Sequence, residues 1–215
     1  MRIRWVREAQ RLGSPAAVIL PGTKSTLDDL AWMRAQGLDR AVAEAADGGA
    51  QVVGICGGYQ VLGQHLEDPT GVEAPAGTTA SGLGLVPTRT RFLPGKDTHQ
   101  ARIELPDGRH LQGYEIHSGA TERAAGCDAF GTIVERNGQP TQAEDGAVAA
   151  GGQVWGTYLH GLFANTDFRR RWLQRIGWTG TSTQEVKAEA EYDRIADAVE
   201  DAVGWPAIAA LLRMD

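Results

Sequence analysis

The short apolar run Gln51–Ile55 (QVVGI) passes without a spacer into Cys56-Gly57-Gly58-Tyr59-Gln60-Val61-Leu62-Gly63. Strand, tight glycine turn, helix is the natural parse, and it leaves few architectures open. A second apolar run, Ala16–Leu20 (AAVIL), ends at Pro21-Gly22, as a buried parallel strand entering a loop would. Between the two, Thr23–Thr26 followed by Asp28 and Asp29 reads as a capped helix start with acids in its first turn. A further helix over Leu38–Ala46 stops at Asp47-Gly48-Gly49. This alternation of strands and helices predicts an α/β fold around a mostly parallel sheet flanked by helices.

The middle of the chain changes character. Leu83–Val86, Arg89–Phe92, Ala101–Leu105, Leu111–Ile116 and Thr132–Arg136 are short strand candidates separated by turn residues such as Pro106-Asp107-Gly108 and Asn137-Gly138, so several should pair antiparallel. Pro75–Gly84 (PAGTTASGLG) reads as a loop. Val154–Leu159 (VWGTYL) predicts one more strand, leading into His160-Gly161. From Thr166 to Met214 the spacing is helical, through Phe168, Trp172 and Ile176, then Ile195, Val199 and Val203, with Leu211 and Leu212 near the end. Two parts are expected: a domain over residues 1–165 and a helical segment over 166–215 packed on it.

Composition narrows the function. Net charge is −6, from 21 basic and 27 acidic residues, which argues against a nucleic-acid surface. The basic cluster Arg169-Arg170-Arg171, between Phe168 and Trp172, reads as the polar face of a helix. No apolar run reaches the roughly 18–20 residues that span a bilayer, and the N-terminus is charged too often for a secretory signal. Two cysteines in unlike surroundings make a disulfide framework improbable, so a cytoplasmic setting is expected. Glycine stands out at 28 of 215 residues, nearly twice the usual share of about 7%.

Cys56 is the candidate nucleophile. A glycine-flanked residue between strand and helix can sit at a strained turn that lifts its side chain clear of the backbone. The helix N-terminus there favours the thiolate, and the Gly57 N–H would face an oxyanion formed on an attacked carbonyl. Cys127, in Ala125-Gly126-Cys127-Asp128, lacks that frame and reads as structural. A cysteine nucleophile needs a base. Of five histidines, His160 and His117 each end a predicted strand, and spacing alone does not choose between them. His65, His99 and His110 have polar neighbours and read as surface residues.

Six segments in order carry a family likeness: VILPGTKSTLDDL (Val18–Leu30), GICGGYQVLG (Gly54–Gly63), EDPTGVE (Glu67–Glu73), GLGLVPTRT (Gly82–Thr90), GYEIHSGAT (Gly113–Thr121) and GTYLHGLF (Gly156–Phe163). The chain resembles class I, triad-type glutamine amidotransferase domains, and among them the C-terminal glutaminase domain of the cobyric acid synthase family. The resemblance implies a flavodoxin-like fold. It implies that Cys56 attacks the side-chain amide of L-glutamine with His160 as general base and then acid, that Gly22 and Gly57 supply oxyanion N–H groups, and that Gln60 contacts the bound glutamine. It also implies an ATP-dependent synthetase domain, fused or separate, acting on a corrinoid. No cofactor is expected in this domain, with ATP and Mg confined to the synthetase, and no nucleic acid, membrane or metal partner is expected.

Two departures matter. Many class I members have a Glu two residues after the catalytic His, where this chain has Leu162, an absence the cobyric acid synthase branch shares. Something else must orient His160, and Glu115 is the candidate, although its strand, with His117, could instead line the substrate pocket or face the synthetase. The match also begins late: the family's first strand would precede the segment at Arg2–Val6, which reads as the second strand. No G-x-x-x-x-G-K-[ST] loop occurs. The chain is therefore expected to be the C-terminal part of a longer enzyme. The competing expectations are a stand-alone glutaminase subunit acting for peptidoglycan lipid intermediates and a non-catalytic interaction domain of the same fold.

Overall fold

Along the chain, strand β1 (Ala17–Leu20) precedes helices α1 (Thr26–Ala35) and α2 (Leu38–Asp47), then β2 (Gln51–Ile55) and α3 (Gly57–Leu62). The middle is all strand: β3 (His65–Asp68), β4 (Thr78–Ser81), β5 (Thr88–Arg91), β6 (Asp97–Glu104), β7 (His110–His117), β8 (Ala120–Arg123), β9 (Gly131–Arg136), β10 (Gln139–Asp145) and β11 (Ala147–Ala149). β12 (Val154–Thr157), β13 (Leu159–His160), α4 (Thr166–Arg175) and α5 (Ala188–Val203) complete the order. This computed structural model describes residues 1–95, 97–180, 188–205, 207 and 209.

Three sheets result. The first has the order β1-β2-β12-β11, with β1, β2 and β12 mutually parallel and β11 antiparallel at the edge. Its central strands β2 and β12 read as nearly continuous apolar runs because both of their faces are covered, whereas Ile19 on β1 is exposed. Alternation sends Val52 and Val154 into one core with Leu30, Leu62 and Phe92, and Val53 and Trp155 into another with Ile103, Leu111 and Phe168. The second sheet is antiparallel, β10-β9-β6-β7-β13, and the third is β4-β3-β5-β8. The expected parallel sheet and antiparallel middle are both present, although the parallel part is only three strands wide among the described residues.

The helix after Cys56 lies hard against β1. A Cβ on Gly58 would stand 2.1 Å from the Leu20 carbonyl oxygen, so only glycine permits the approach.

Several expectations change. The single strand predicted at Val154–Leu159 is two, because the chain leaves the parallel sheet after Thr157 and enters the antiparallel sheet at Leu159. Leu83–Val86 is no strand. The N–H groups of Leu83, Gly84, Leu85 and Val86 donate instead to the carbonyls of Val61, Gly63 and Leu62, which the end of α3 leaves without intrahelical donors. Within the expected loop Pro75–Gly84, β4 forms because β3 offers it an antiparallel edge. Arg2–Val6 belongs to no sheet, and Trp5 is 86% exposed, since none of the described strands pairs with the segment.

The chain divides into two units, Met1–Thr179 and Gly180–Asp215. The first runs past the expected boundary at residue 165, because α4 buries Phe168 and Leu173 in its core and Trp172 Nε1 donates to Gln51 Oε1 at 2.9 Å. The arginines at 169–171 lie on α4 as expected, Arg170 pairing with Asp167. In the second unit α5 carries Ile195, Val199 and Val203 along one helical face. Leu211, Leu212 and Met214 lie outside the described residues.

Candidate active site

The three parallel strands of the first sheet deliver their carboxyl ends to one place, where open α/β sheets build their sites. β1 ends at Pro21-Gly22-Thr23, β2 at Cys56, and β12 at the segment that carries His160. Cys56 has φ 53° and ψ −114°, a left-handed backbone that a non-glycine residue adopts at a cost of about 1–3 kcal/mol. Hydrogen bonds on both sides hold it there: its N–H donates to the Thr157 carbonyl at 2.9 Å, and its carbonyl accepts from Gln60 N at 3.0 Å. The side chain is buried, and Sγ donates to the Ile116 carbonyl at 3.4 Å.

Gly22 explains itself by what surrounds it. A Cβ there would stand 2.9 Å from His160 Cε1 and 3.5 Å from Cys56 Cβ, so glycine keeps the space beside Cys56 and the imidazole open. The imidazole stacks on Tyr114, with ring centroids 4.9 Å apart and planes 11° off parallel. The pairing of β13 with β7 sets that stack, placing His160 opposite Tyr114 and Leu159 opposite Glu115. On the other side of the turn, a Cβ on Gly57 would meet Thr23 Cγ2 at 2.4 Å, so the Gly22-Thr23 loop closes over the start of α3.

His117 is placed differently. Its ring stacks on Tyr158 at 3.8 Å, Nδ1 lies 3.2 Å from the Gly119 carbonyl, and Nε2 lies 4.0 Å from Glu115 Oε1. Of the two histidines that spacing left open, His160 is the one that shares the space at Gly22 with Cys56. The Glu115 carboxylate is buried and takes a bidentate pair from Arg136, Nε at 2.7 Å and Nη2 at 3.1 Å. It faces Arg136 and His117, and this pairing was not legible in the sequence because Arg136 sits two strands away on β9.

Gln60 is 2% exposed, which excludes the solvated helix position its residue type suggests. Its Nε2 donates to the Ser118 carbonyl at 3.2 Å and to the Tyr158 hydroxyl at 3.1 Å, and its Oε1 accepts from Thr26 Oγ1 at 3.0 Å. Thr26 in turn donates its N–H to Glu73 Oε2 at 2.7 Å, so Glu73 caps α1 in place of the Ser25 side chain. Burial raises the Glu73 carboxyl above its ordinary range, against the lowering effect of the Thr26 bonds. Burial likewise raises the Tyr158 phenol. Of the three surface histidines, His65 lies on β3, His110 begins β7, and His99 receives a hydrogen bond from Asn137 at 3.0 Å.

Sequence reading missed Tyr114, Tyr158, Thr26 and Asp145. Tyr158 had a local signal, lying two residues before His160. Asp145 had only the Asp-Gly turn signature.

Residues 1–168 match the model of the CobB/CobQ-like glutamine amidotransferase domain. The chain belongs to this family. Similar curated proteins include the cobyric acid synthase of Chloroflexus aurantiacus, 44% identical over 98% of this chain and 43% of the relative. That of Streptococcus sanguinis is 40% identical over 94% of this chain and 42% of the relative. The chain thus spans less than half the length of these relatives. Among solved structures, a glutamine amidotransferase aligns with a TM-score of 0.56 at 19% identity, covering 80% of this chain and 85% of that one. PurLQS from Thermotoga maritima aligns with 0.55 at 18%, covering 77% and 80%. Both likenesses bear on the fold. Among the described residues of this CobB/CobQ-like domain, no helix is long and apolar enough to cross a membrane.

Proposed function

We propose that this domain is the glutaminase part of a cobyric acid synthase, releasing ammonia from L-glutamine by Cys-His chemistry. The observation that carries the reading is the meeting of Cys56, His160 and Gly22 at the carboxyl ends of three parallel strands. Cys56 Sγ attacks the side-chain amide carbon of glutamine while His160 takes the thiol proton. The tetrahedral oxyanion is met by the N–H groups of Gly57 and Gly22. His160 then returns the proton to the leaving nitrogen, ammonia departs, and a water activated by the same imidazole hydrolyses the thioester to glutamate. Gln60, Glu115 and His117 line the glutamine pocket, Gln60 from the helix after the nucleophile and the other two from β7.

The ammonia serves an ATP- and Mg-dependent synthetase part that amidates adenosylcobyrinic acid a,c-diamide in cobalamin biosynthesis, in a cytoplasmic setting. The cobyric acid synthase relatives support this substrate class. The stand-alone glutaminase for peptidoglycan lipids gains nothing from them, and the Cys56–His160 geometry speaks against a non-catalytic domain. Glutamate release from glutamine, measured on the chain alone and with a synthetase partner, tests the activity. Turnover should vanish in Cys56→Ser, and a glutamine-mimicking electrophile should label Cys56. Absence of glutamate release in both settings, or labelling at Cys127, overturns the reading.

A further inference from the structure

The route from β12 to His160 crosses between two sheets, and a buried acid sits at the crossing. Asp145, at the end of β10, is 3% exposed. Its Oδ2 accepts from the Thr157 hydroxyl, and its Oδ1 accepts from the Tyr158 N–H at 3.1 Å. Thr157 Oγ1 in turn accepts the Leu159 N–H at 3.0 Å. Two consecutive backbone N–H groups at the switch are therefore met by side chains. Thr157 also holds the nucleophile, since its carbonyl accepts the Cys56 N–H at 2.9 Å. One residue thus touches both arms of the candidate site, and Asp145 fixes that residue.

We propose that Asp145 is a positioning residue that sets His160 against Cys56 by clamping the Thr157–Leu159 turn, an assignment that rests on the glutaminase reading of those two residues. The clamp acts through hydrogen bonds to the turn. The carboxylate offers one oxygen to the hydroxyl and one to the amide; an asparagine would keep an acceptor for the amide and turn a donor to the hydroxyl oxygen. Around the acid stand the Glu115 carboxylate, the Tyr59 and Tyr158 phenols and the Arg123 guanidinium, whose Nη1 donates to the Gly146 carbonyl at 3.0 Å. Burial pushes the Asp145 carboxyl up to about 6, against the lowering effect of the Thr157 and Tyr158 bonds. A misplacement of His160 by about 1 Å would lower turnover by about a hundredfold.

The test reads Cys56 directly, without glutamine. Alkylation of the chain by iodoacetamide is followed against pH, with mass spectrometry separating Cys56 from Cys127. In the wild type, Cys56 should react below the ordinary thiol range near about 8.5, because the neighbouring His160 imidazole can take the thiol proton and stabilise the thiolate. His160→Ala should lift that inflection, and Asp145→Ala should lift it in the same direction while lowering kcat about a hundredfold with little change in KM. Asp145→Asn, whose amide can still meet the Tyr158 N–H and the Thr157 hydroxyl, should recover at least half of that loss on a logarithmic scale. Should Asp145→Ala fail to unfold cooperatively, Thr157→Val removes the hydroxyl bridge alone and should lower kcat about tenfold with the same alkylation shift. Wild-type kcat and an unmoved inflection in folded Thr157→Val and Asp145→Ala overturn the assignment, as does a loss confined to KM. If the inflection moves with His160 and Asp145 while the wild type releases no glutamate, the positioning stands and the glutaminase reading falls.

Discussion

Two buried aspartates, Asp68 at the end of β3 and Asp145 at the end of β10, are shifted in opposite directions by the same chemistry. Burial would raise both. At Asp68 it is outweighed by four backbone donors, the N–H groups of Gly71, Val72, Glu73 and Ala74 at 2.7–2.9 Å, which hold the carboxyl down at about 2. At Asp145 burial wins over the Thr157 and Tyr158 bonds, the Glu115 charge adds to it, and the carboxyl rises to about 6. The difference lies in the balance of the two effects: a loop wraps four N–H groups around Asp68, whereas at Asp145 the donors Thr157, Tyr158 and Gly146 are set against burial and the nearby Glu115 charge. Their targets differ too. Asp68 organises the loop that brings Glu73 to Thr26 and so reaches Gln60, while Asp145 organises the turn that leads to His160.

The largest effect that could break this contrast is on stability. Asp68→Ala takes the acceptor from four half-buried N–H groups and should cost about 2–3 kcal/mol in denaturant unfolding, with the slope unchanged. An unaffected midpoint would mean the loop does not depend on the acid. Next comes pH. Asp145 binds its proton more tightly folded than unfolded, so its contribution to stability is greatest below about pH 4 and declines, by about 2–3 kcal/mol in all, as pH rises through about 6. Asp68 runs the other way, its contribution being present above about pH 4 and lost as pH falls toward 2. Thermal unfolding across pH should therefore lose its upper decline in Asp145→Asn and part of its acid limb in Asp68→Asn. A decline that survives in Asp145→Asn would assign it elsewhere. The smallest effect separates the two targets. Thr26→Val, which cuts the bond to Gln60, should cost about 1 kcal/mol and raise KM for glutamine severalfold with kcat nearly intact, the reverse of the pattern expected at Thr157. A fall in kcat at Thr26 would erase the distinction.

Much of this was legible in local pattern. The run Gln51–Ile55 announced itself because a strand buried on both faces is apolar almost throughout, and Ala17–Leu20 did so by an apolar run ending at Pro21-Gly22, although its Ile19 is exposed. Cys56 was legible from its glycine-flanked place between strand and helix, and His160 stood out with His117 as a strand-ending histidine. The sheet switch at Tyr158 was not, since VWGTYL carries nothing that says its last residues pair with a different sheet. Leu83–Val86 misled for a related reason: four apolar-leaning residues suit a strand, but the carbonyls at the end of α3 take their N–H groups first. Glu115 was expected to orient His160 or to line the pocket; in the structure it is buried and paired with Arg136, which comes from β9 where no spacing rule reaches it.

What the sequence determined alone is the element list around Cys56 and its glycine-flanked place between strand and helix, because both follow from residues adjacent along the chain. Tertiary structure alone decided which imidazole stands with Cys56, why residue 22 must lack a side chain, and which acid holds the turn before His160. Those are contacts between carboxyl ends of strands far apart in sequence, and their geometry exists only once the sheets have packed.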